Sequence, residues 1–403
     1  MRAVTAALLI VIAGAVIVAG AAAPADGQAG GARLPAGVPF STSVQAGDLI
    51  YLAGTLATDE NGRLVSGDIR VQTRQVLDNL ARILMSAGSR MSQVASVTVY
   101  LKNVADFPAM NEVYRSYWPA DPPVRTTIVA DLVLPDALVE ISMVALRSGI
   151  ERQVIHPAGW LKAANPYSYG IKAGNTLFLA GLVSRNGKDN SPVAGDMTAQ
   201  TRTVLENAGE ILRAADMTYA DVVSSRVFVT DAAAFQDMNA AYRAYFSSNP
   251  PARATVKAGL TAPQYLVEIT LTAVRETSRA IITTPNADGT PGRANPNLSS
   301  AIRVGQRLYL SGMLGNTGAN KGDARAQTRE TMARIERTLT AAGFGWTDVV
   351  DSVVYLPEIK DFGAMNEGYR EFFSKGFPAR ATVETGLVSP NGLVEIMMTA
   401  VRR

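Results

Sequence analysis

Three arginine and glutamate sets carry the reactive side chains that this sequence repeats. Arg125 lies in Pro122-Pro123-Val124-Arg125-Thr126-Thr127-Ile128 and is followed by Glu140 in Val139-Glu140-Ile141. Arg253 and Glu268 recur in Pro250-Pro251-Ala252-Arg253-Ala254-Thr255-Val256 and Val267-Glu268-Ile269. Arg380 and Glu395 recur in Phe377-Pro378-Ala379-Arg380-Ala381-Thr382-Val383 and Val394-Glu395-Ile396, with the same interval between the two charges each time. A guanidinium fork matches a carboxylate through two parallel hydrogen bonds. A glutamate within reach of a bound molecule can orient or deprotonate a water for attack on carbon. The competing reading is an ion pair within the sheet that serves the architecture alone.

Other chemistries are poorly supplied. The chain has no cysteine and one histidine among 403 residues, which excludes disulfide frameworks, thiolate nucleophiles and the usual zinc clusters. His156, in Val154-Ile155-His156-Pro157, has no counterpart in the other repeats and reads as structural. A net charge of +3 with scattered basic residues gives no nucleic-acid signature. With 47% hydrophobic and 18% charged residues the chain has ample material for packed cores.

The elements that hold these residues come in threes. Gln72-Thr73-Arg74, Gln200-Thr201-Arg202 and Gln327-Thr328-Arg329 are offset by 128 and then 127 residues, and Met110-Asn111, Met238-Asn239 and Met365-Asn366 keep those offsets. Three copies of one unit are therefore expected, over 34–150, 151–278 and 279–403. Leu49 to Gly54, Leu177 to Gly181 and Leu308 to Gly312 read as buried strands ended by glycine. Val76, Leu80, Ile83, Leu84 and Ala87 form one helical stripe, stopped at Gly88. Ser96 to Leu101, Ser225 to Val229 and Ser352 to Leu356 read as the next strand. Phe107, Met110, Tyr114 and Tyr117, with Phe235, Met238, Tyr242 and Tyr245 and then Phe362, Met365, Tyr369 and Phe372, mark a second helix whose stripe faces the core.

The arginine and glutamate strands close each unit, giving an α+β arrangement with two helices on one side of a sheet. Leu138 to Leu146, Leu266 to Val274 and Leu393 to Val401 lack the alternation of a half-solvated strand, so the second face of each sheet should be covered by a neighbouring copy. At the N-terminus Arg2, the apolar run Ala3 to Ala19 and the small residues through Ala23 have the parts of a signal peptide over residues 1–23, with an uncleaved anchor as the alternative. A periplasmic or secreted location is the expectation, with no membrane association after cleavage.

In combination, the Gly-ended strand, the Gln-Thr-Arg helix, the Phe-x-x-Met-Asn-x-x-Tyr helix, the Pro-x-Arg-x-Thr strand and the Val-Glu-Ile strand resemble the RidA/YjgF family, formerly called the L-PSP endoribonuclease family. The resemblance implies a chorismate-mutase-like α+β fold with a mixed sheet, assembled as a trimer with sites in the clefts between protomers. Here the three would be fused into an intramolecular pseudo-trimer, one chain acting alone, with Ser148 to Ala164 and Glu276 to Asn295 as connectors. It implies hydrolysis of reactive 2-imino and enamino acids to 2-keto acids and ammonia, with neither metal nor organic cofactor. By motif, Arg125, Arg253 and Arg380 match the carboxylate-binding arginine. Glu140, Glu268 and Glu395 match the acidic residue, and Asn111, Asn239 and Asn366 match a cleft-lining position. Of the family's Tyr and Ser-Gly positions, Tyr167 is kept only in copy 2 and Ser311 only in copy 3, against Phe40, Ala53, Ala180 and Asn297-Leu298 elsewhere. Copy 1 also carries Val124 where the others have Ala. A non-catalytic binder of small carboxylates and a purely structural module stand as the alternatives to a deaminase.

Overall fold

The computed structural model describes residues 32–402. The expected leader over residues 1–23 lies outside them. Each unit opens on a tight hairpin, pairing Ser43–Ala46 with Leu49–Thr55, Gly170–Ala173 with Thr176–Leu179, and Ala301–Val304 with Arg307–Leu310. The turns pass through Gly47, Gly174 and Gly305 at φ of 56°, 54° and 53°, left-handed values that disfavour any side chain. In copy 1 the strand runs one residue past Gly54 to Thr55, so that glycine does not end it. Its role emerges at the site.

Two helices follow per unit: α1 (Ile69–Ser86) and α2 (Phe107–Tyr117), α3 (Met197–Ala214) and α4 (Phe235–Arg243), α5 (Ala324–Ala342) and α6 (Phe362–Arg370). Asp68, Asp196 and Asp323 start the long ones by accepting hydrogen bonds from the backbone N–H of Val71, Ala199 and Ala326. Val76, Leu80 and Leu84 are fully buried on α1, and Gly88 lies just past its end at φ 76°. The second helix is shorter than its stripe predicts in copies 2 and 3. α4 and α6 end before Tyr245 and Phe372, whose backbone N–H groups bond three residues back to Tyr242 and Tyr369 in a tightened final turn.

Each unit contributes a mixed sheet. The middle strand Val94–Leu101 runs parallel to the arginine strand Val124–Val129 and antiparallel to the glutamate strand Val139–Leu146. Val222–Val229 does the same with Ala252–Lys257 and Val267–Val274, as does Val349–Leu356 with Ala379–Glu384 and Glu395–Val401. The middle strands begin two or three residues earlier than their β-branched runs suggest. The long helices pack on one face, and the other meets the neighbouring units: Phe228, Ala254, Val256, Val353 and Ala381 join the same buried cluster as Ile50, Val97 and Val99. The apolar runs without alternation are thus covered on both faces, as expected.

Hydrogen bonds tie the units in a closed circuit. Gly259–Leu260 pairs with the arginine strand of the first unit, Gly386–Leu387 with that of the second, and Asp131–Leu132 with that of the third. A serine fastens each seam again. Ser168 Oγ donates to the Pro122 carbonyl and Ser299 Oγ to the Pro250 carbonyl, each at 2.6 Å, and Ser41 Oγ donates to the Phe377 carbonyl at 2.6 Å. Losing one such bond costs about 1 kcal/mol. Ser168→Ala is therefore expected to lower the urea midpoint slightly without changing the slope of the transition.

The connectors do more than link. Gln153–Ile155 and Arg279–Ile282 each add an edge strand to the following sheet. His156 lies with its Nε2 2.9 Å from the Trp160 carbonyl and its ring beside Tyr169, in keeping with a structural role. Where the three sheets converge there is a cavity of about 100 Å³. Equivalent positions from all three units line it: Ser96, Ser224 and Asp351, and Thr98, Arg226 and Val353. Among the described residues no helix is long and apolar enough to cross a membrane.

Candidate functional site at the unit seams

Register fixes where the charges sit. On the arginine strands, Arg125, Arg253 and Arg380 stand opposite Val97, Ser225 and Ser352 of the middle strands. On the glutamate strands, Glu140, Glu268 and Glu395 stand opposite Tyr100, Phe228 and Tyr355. The arginine and glutamate that keep a constant interval along the chain do not share a cleft. Arg125 faces Glu268, Arg253 faces Glu395, and Arg380 faces Glu140, so every set spans a seam. The arginine and glutamate strands flank the middle strand on opposite sides, so the two charges of one unit meet different neighbours.

These are not contact ion pairs. Among the described residues no arginine of the three lies within 4.0 Å of a glutamate of the three. Each guanidinium instead rests on an aromatic face, 4.7 Å from the Tyr114 ring, 4.7 Å from Tyr242 and 4.9 Å from Tyr369, with Phe107, Phe235 and Phe362 further along. The aromatic stripe of the second helix is therefore core and arginine platform at once. All three arginines are at most 4% exposed, and each keeps a buried Nη1 with no hydrogen-bond partner. Burial pulls their pKa down, to about 10 for Arg380. A buried cationic donor left unpaired is costly unless an anion completes it.

The carboxyls are placed with equal care. A Cβ added to Gly54, Gly181 or Gly312 would stand 1.8, 1.9 or 2.0 Å from Oε1 of Glu140, Glu268 or Glu395. Glycine at this place thus makes room for the carboxyl of its own unit. The Thr127 backbone N–H donates to Glu268 Oε1 at 3.3 Å, and Thr382 and Thr255 serve Glu140 and Glu395 in the same way. Burial outweighs those bonds and the facing arginine, and pushes all three carboxyls up to about 8. Burial thus favours their protonated form.

The three clefts differ in detail. Asn239 Oδ1 accepts from Arg253 Nη2 at 2.6 Å and Asn366 Oδ1 from Arg380 Nη2 at 2.7 Å. Asn111 instead turns its Nδ2 to Asn165 at 3.4 Å, and no bond joins it to Arg125 among the described residues. Tyr167 lines the Arg125 cleft beside Asn165, Val183 and Glu268. Ser311 is buried, accepting from the Arg253 backbone N–H at 2.7 Å and donating to the Ser299 carbonyl at 2.6 Å, so its hydroxyl braces the arginine strand from behind. No cluster of metal-ligating side chains occurs among the described residues. The sequence reading missed the glycines' spatial role, the tyrosine platforms and the seam serines. All recur at matching places in the three copies, which was the available signal.

Known proteins with this pattern are numerous. Residues 30–147, 159–275 and 291–402 each match the profile described as Endoribonuclease L-PSP. A RutC family protein of Pyrococcus horikoshii is 41% identical over 110 residues, covering 27% of this chain and 87% of the relative. The 3-aminoacrylate deaminase RutC of Acinetobacter baylyi is 40% identical over 108 residues, covering 27% of this chain and 86% of the relative. A crystal structure of a chorismatase, 16% identical, overlays 77% of this chain and 93% of its own with a TM-score of 0.51, a likeness of fold. With its motifs matched in all three units, this chain belongs to the Endoribonuclease L-PSP family, carrying that domain three times in tandem.

Proposed function

We propose that the chain hydrolyses 2-imino and enamino acids to 2-keto acids and ammonia at the seams between its units. The observation that carries this reading is the unpartnered buried Nη1 of Arg125, Arg253 and Arg380, each facing a buried glutamate whose pKa is raised by burial. The arginine takes the substrate carboxylate. The glutamic acid gives its proton to the enamine carbon or imine nitrogen, creating an iminium, and the resulting carboxylate takes a proton from the water that attacks the iminium carbon. Collapse of the carbinolamine expels ammonia and leaves the keto acid, with one water consumed. A relative named as a 3-aminoacrylate deaminase supports the reaction class.

In this reading Asn239 and Asn366 steady the arginines, and Tyr167 and Ser311 act each in a single cleft. The chain works as a single molecule that is its own trimer, and light scattering should return the mass of one chain. The leader-like N-terminus supports export, which cell fractionation would check. Ammonia release from imino acids generated in situ by an amino-acid oxidase is the direct assay. It should exceed buffer for the parent and fall in Arg253→Ala and Arg380→Ala. Keto-acid binding without any ammonia release would leave a carboxylate-binding protein instead. Gly54→Ala, Gly181→Ala and Gly312→Ala each push one glutamate off its backbone donor, and each should remove the share of one cleft. A series in which none of the three lowers the rate would count against catalysis at the seams.

A further inference from the structure

The Arg125 cleft holds a second guanidinium, Arg185, at a position where the other two units carry no arginine. Arg185, four residues beyond Gly181, lines it together with Arg125, Glu268, Tyr167 and Tyr265. At the corresponding place after Gly54 stands Thr58, and after Gly312 stands Asn316. Arg185 is built into position. Leu182 bonds both ways with Ile269 on the glutamate strand, and Arg185 itself bridges to Pro192 across a short turn. Asn207 Nδ2 donates to the Arg185 carbonyl at 2.6 Å. Its Nε donates to the Tyr265 hydroxyl at 2.9 Å, and the guanidinium lies 5.7 Å from that ring. Those contacts fix the stem and one edge of the fork, leaving the two terminal nitrogens for something else.

No carboxylate lies within 4.0 Å of Arg185 among the described residues. Tyr167, Arg185, Arg125 and Glu268 line one space. Arg125 is also the arginine that its asparagine leaves alone, which frees more of its donors for a ligand. A small acid carrying one carboxylate would pair one of these two guanidiniums and leave the other without it.

Resting on the deaminase reading, we propose that this cleft is specialised for dicarboxylic substrates, the 2-imino acids derived from acidic amino acids. Arg125 holds the carboxylate next to the imine, and Arg185 holds the distal one. Arg185 is a specificity-determining residue, and the other two clefts serve monocarboxylic substrates.

The test uses stable keto acids, so it does not depend on turnover. 2-Oxoglutarate and 2-oxopentanoate have the same carbon chain and differ in the distal carboxylate. Calorimetric titration of the full chain should show one site preferring 2-oxoglutarate by about tenfold or more. In Arg185→Gln that ratio should fall to about one, and in Arg185→Lys it should stay between the two, with heat melts of the free variants checking their folding. An equal affinity for both acids in the parent overturns the proposal. So does a ratio that survives Arg185→Gln, or a parallel loss of both ligands, which would assign Arg185 to propping Tyr265. If ammonia is released from monocarboxylic imines while the ratio is absent, this proposal alone fails. If the ratio is present and no imine is hydrolysed, the reaction fails and the dicarboxylate site stands.

Discussion

Glu140→Gln, Glu268→Gln and Glu395→Gln combined in one chain should lower ammonia release by about a hundredfold or more, while 2-keto acids still bind. General acid–base groups typically contribute factors of about 10² to 10⁴. The amide matches the acid in volume and can still accept the N–H of Thr127, Thr255 or Thr382, so the space beside each glycine stays filled. It cannot pass a proton on. Binding persists because the arginines, which take the carboxylate in the proposed mechanism, are untouched. A triple variant with the parental rate would show that water and arginine alone suffice and would remove the glutamates from the mechanism.

The same variant reports on pH and stability. A glutamate in an unfolded chain titrates near ~4.3, whereas burial holds these three at about 8 in the native state. Between those values the folded protein binds more protons than the unfolded one, so stability falls as pH rises through that window. Each pKa unit corresponds to about 1.4 kcal/mol. Three such groups, each carrying about three units within that window, make the total on the order of 10 kcal/mol, or roughly 10 °C in melting temperature between pH 5 and 8.5. Asp351, raised by burial to about 6, adds to the same trend. Scanning calorimetry of the parent should show the decline, and the triple glutamine variant should flatten most of it. A parent that melts higher at pH 8.5 than at pH 5 would contradict the burial account.

Much of this was legible in the residues. Constant offsets gave three units, glycines and apolar periodicity gave the strands and α1, and runs without alternation gave sheets covered on both faces. What spacing within a unit cannot give is which partner a side chain meets after the units close on one another. The interval between Arg125 and Glu140 is fixed in all copies, yet those two face different seams, because their strands flank the middle strand on opposite sides. Gly181 was hidden differently: it reads as a strand end along the chain, and only the fold shows that the carboxyl of Glu268 in its own unit needs the room. Tyr245 and Phe372 continued a helical pattern that the tight last turn of α4 and α6 had already closed. Arg185 carries no local signal at all, since its meaning depends on facing Arg125 from another unit.

The central cavity has a consequence for how such a molecule can exist. At one set of equivalent places it presents Ser96, Ser224 and Asp351, and at another Thr98, Arg226 and Val353. A ring of identical subunits has no freedom to do this: writing arginine once writes it three times. Three guanidiniums crowded into about 100 Å³ would repel strongly in so little solvent. Tethering the copies lets a lone cation and a lone anion share the middle, so the excised second unit, forced to repeat Arg226 around its own axis, should resist self-assembly.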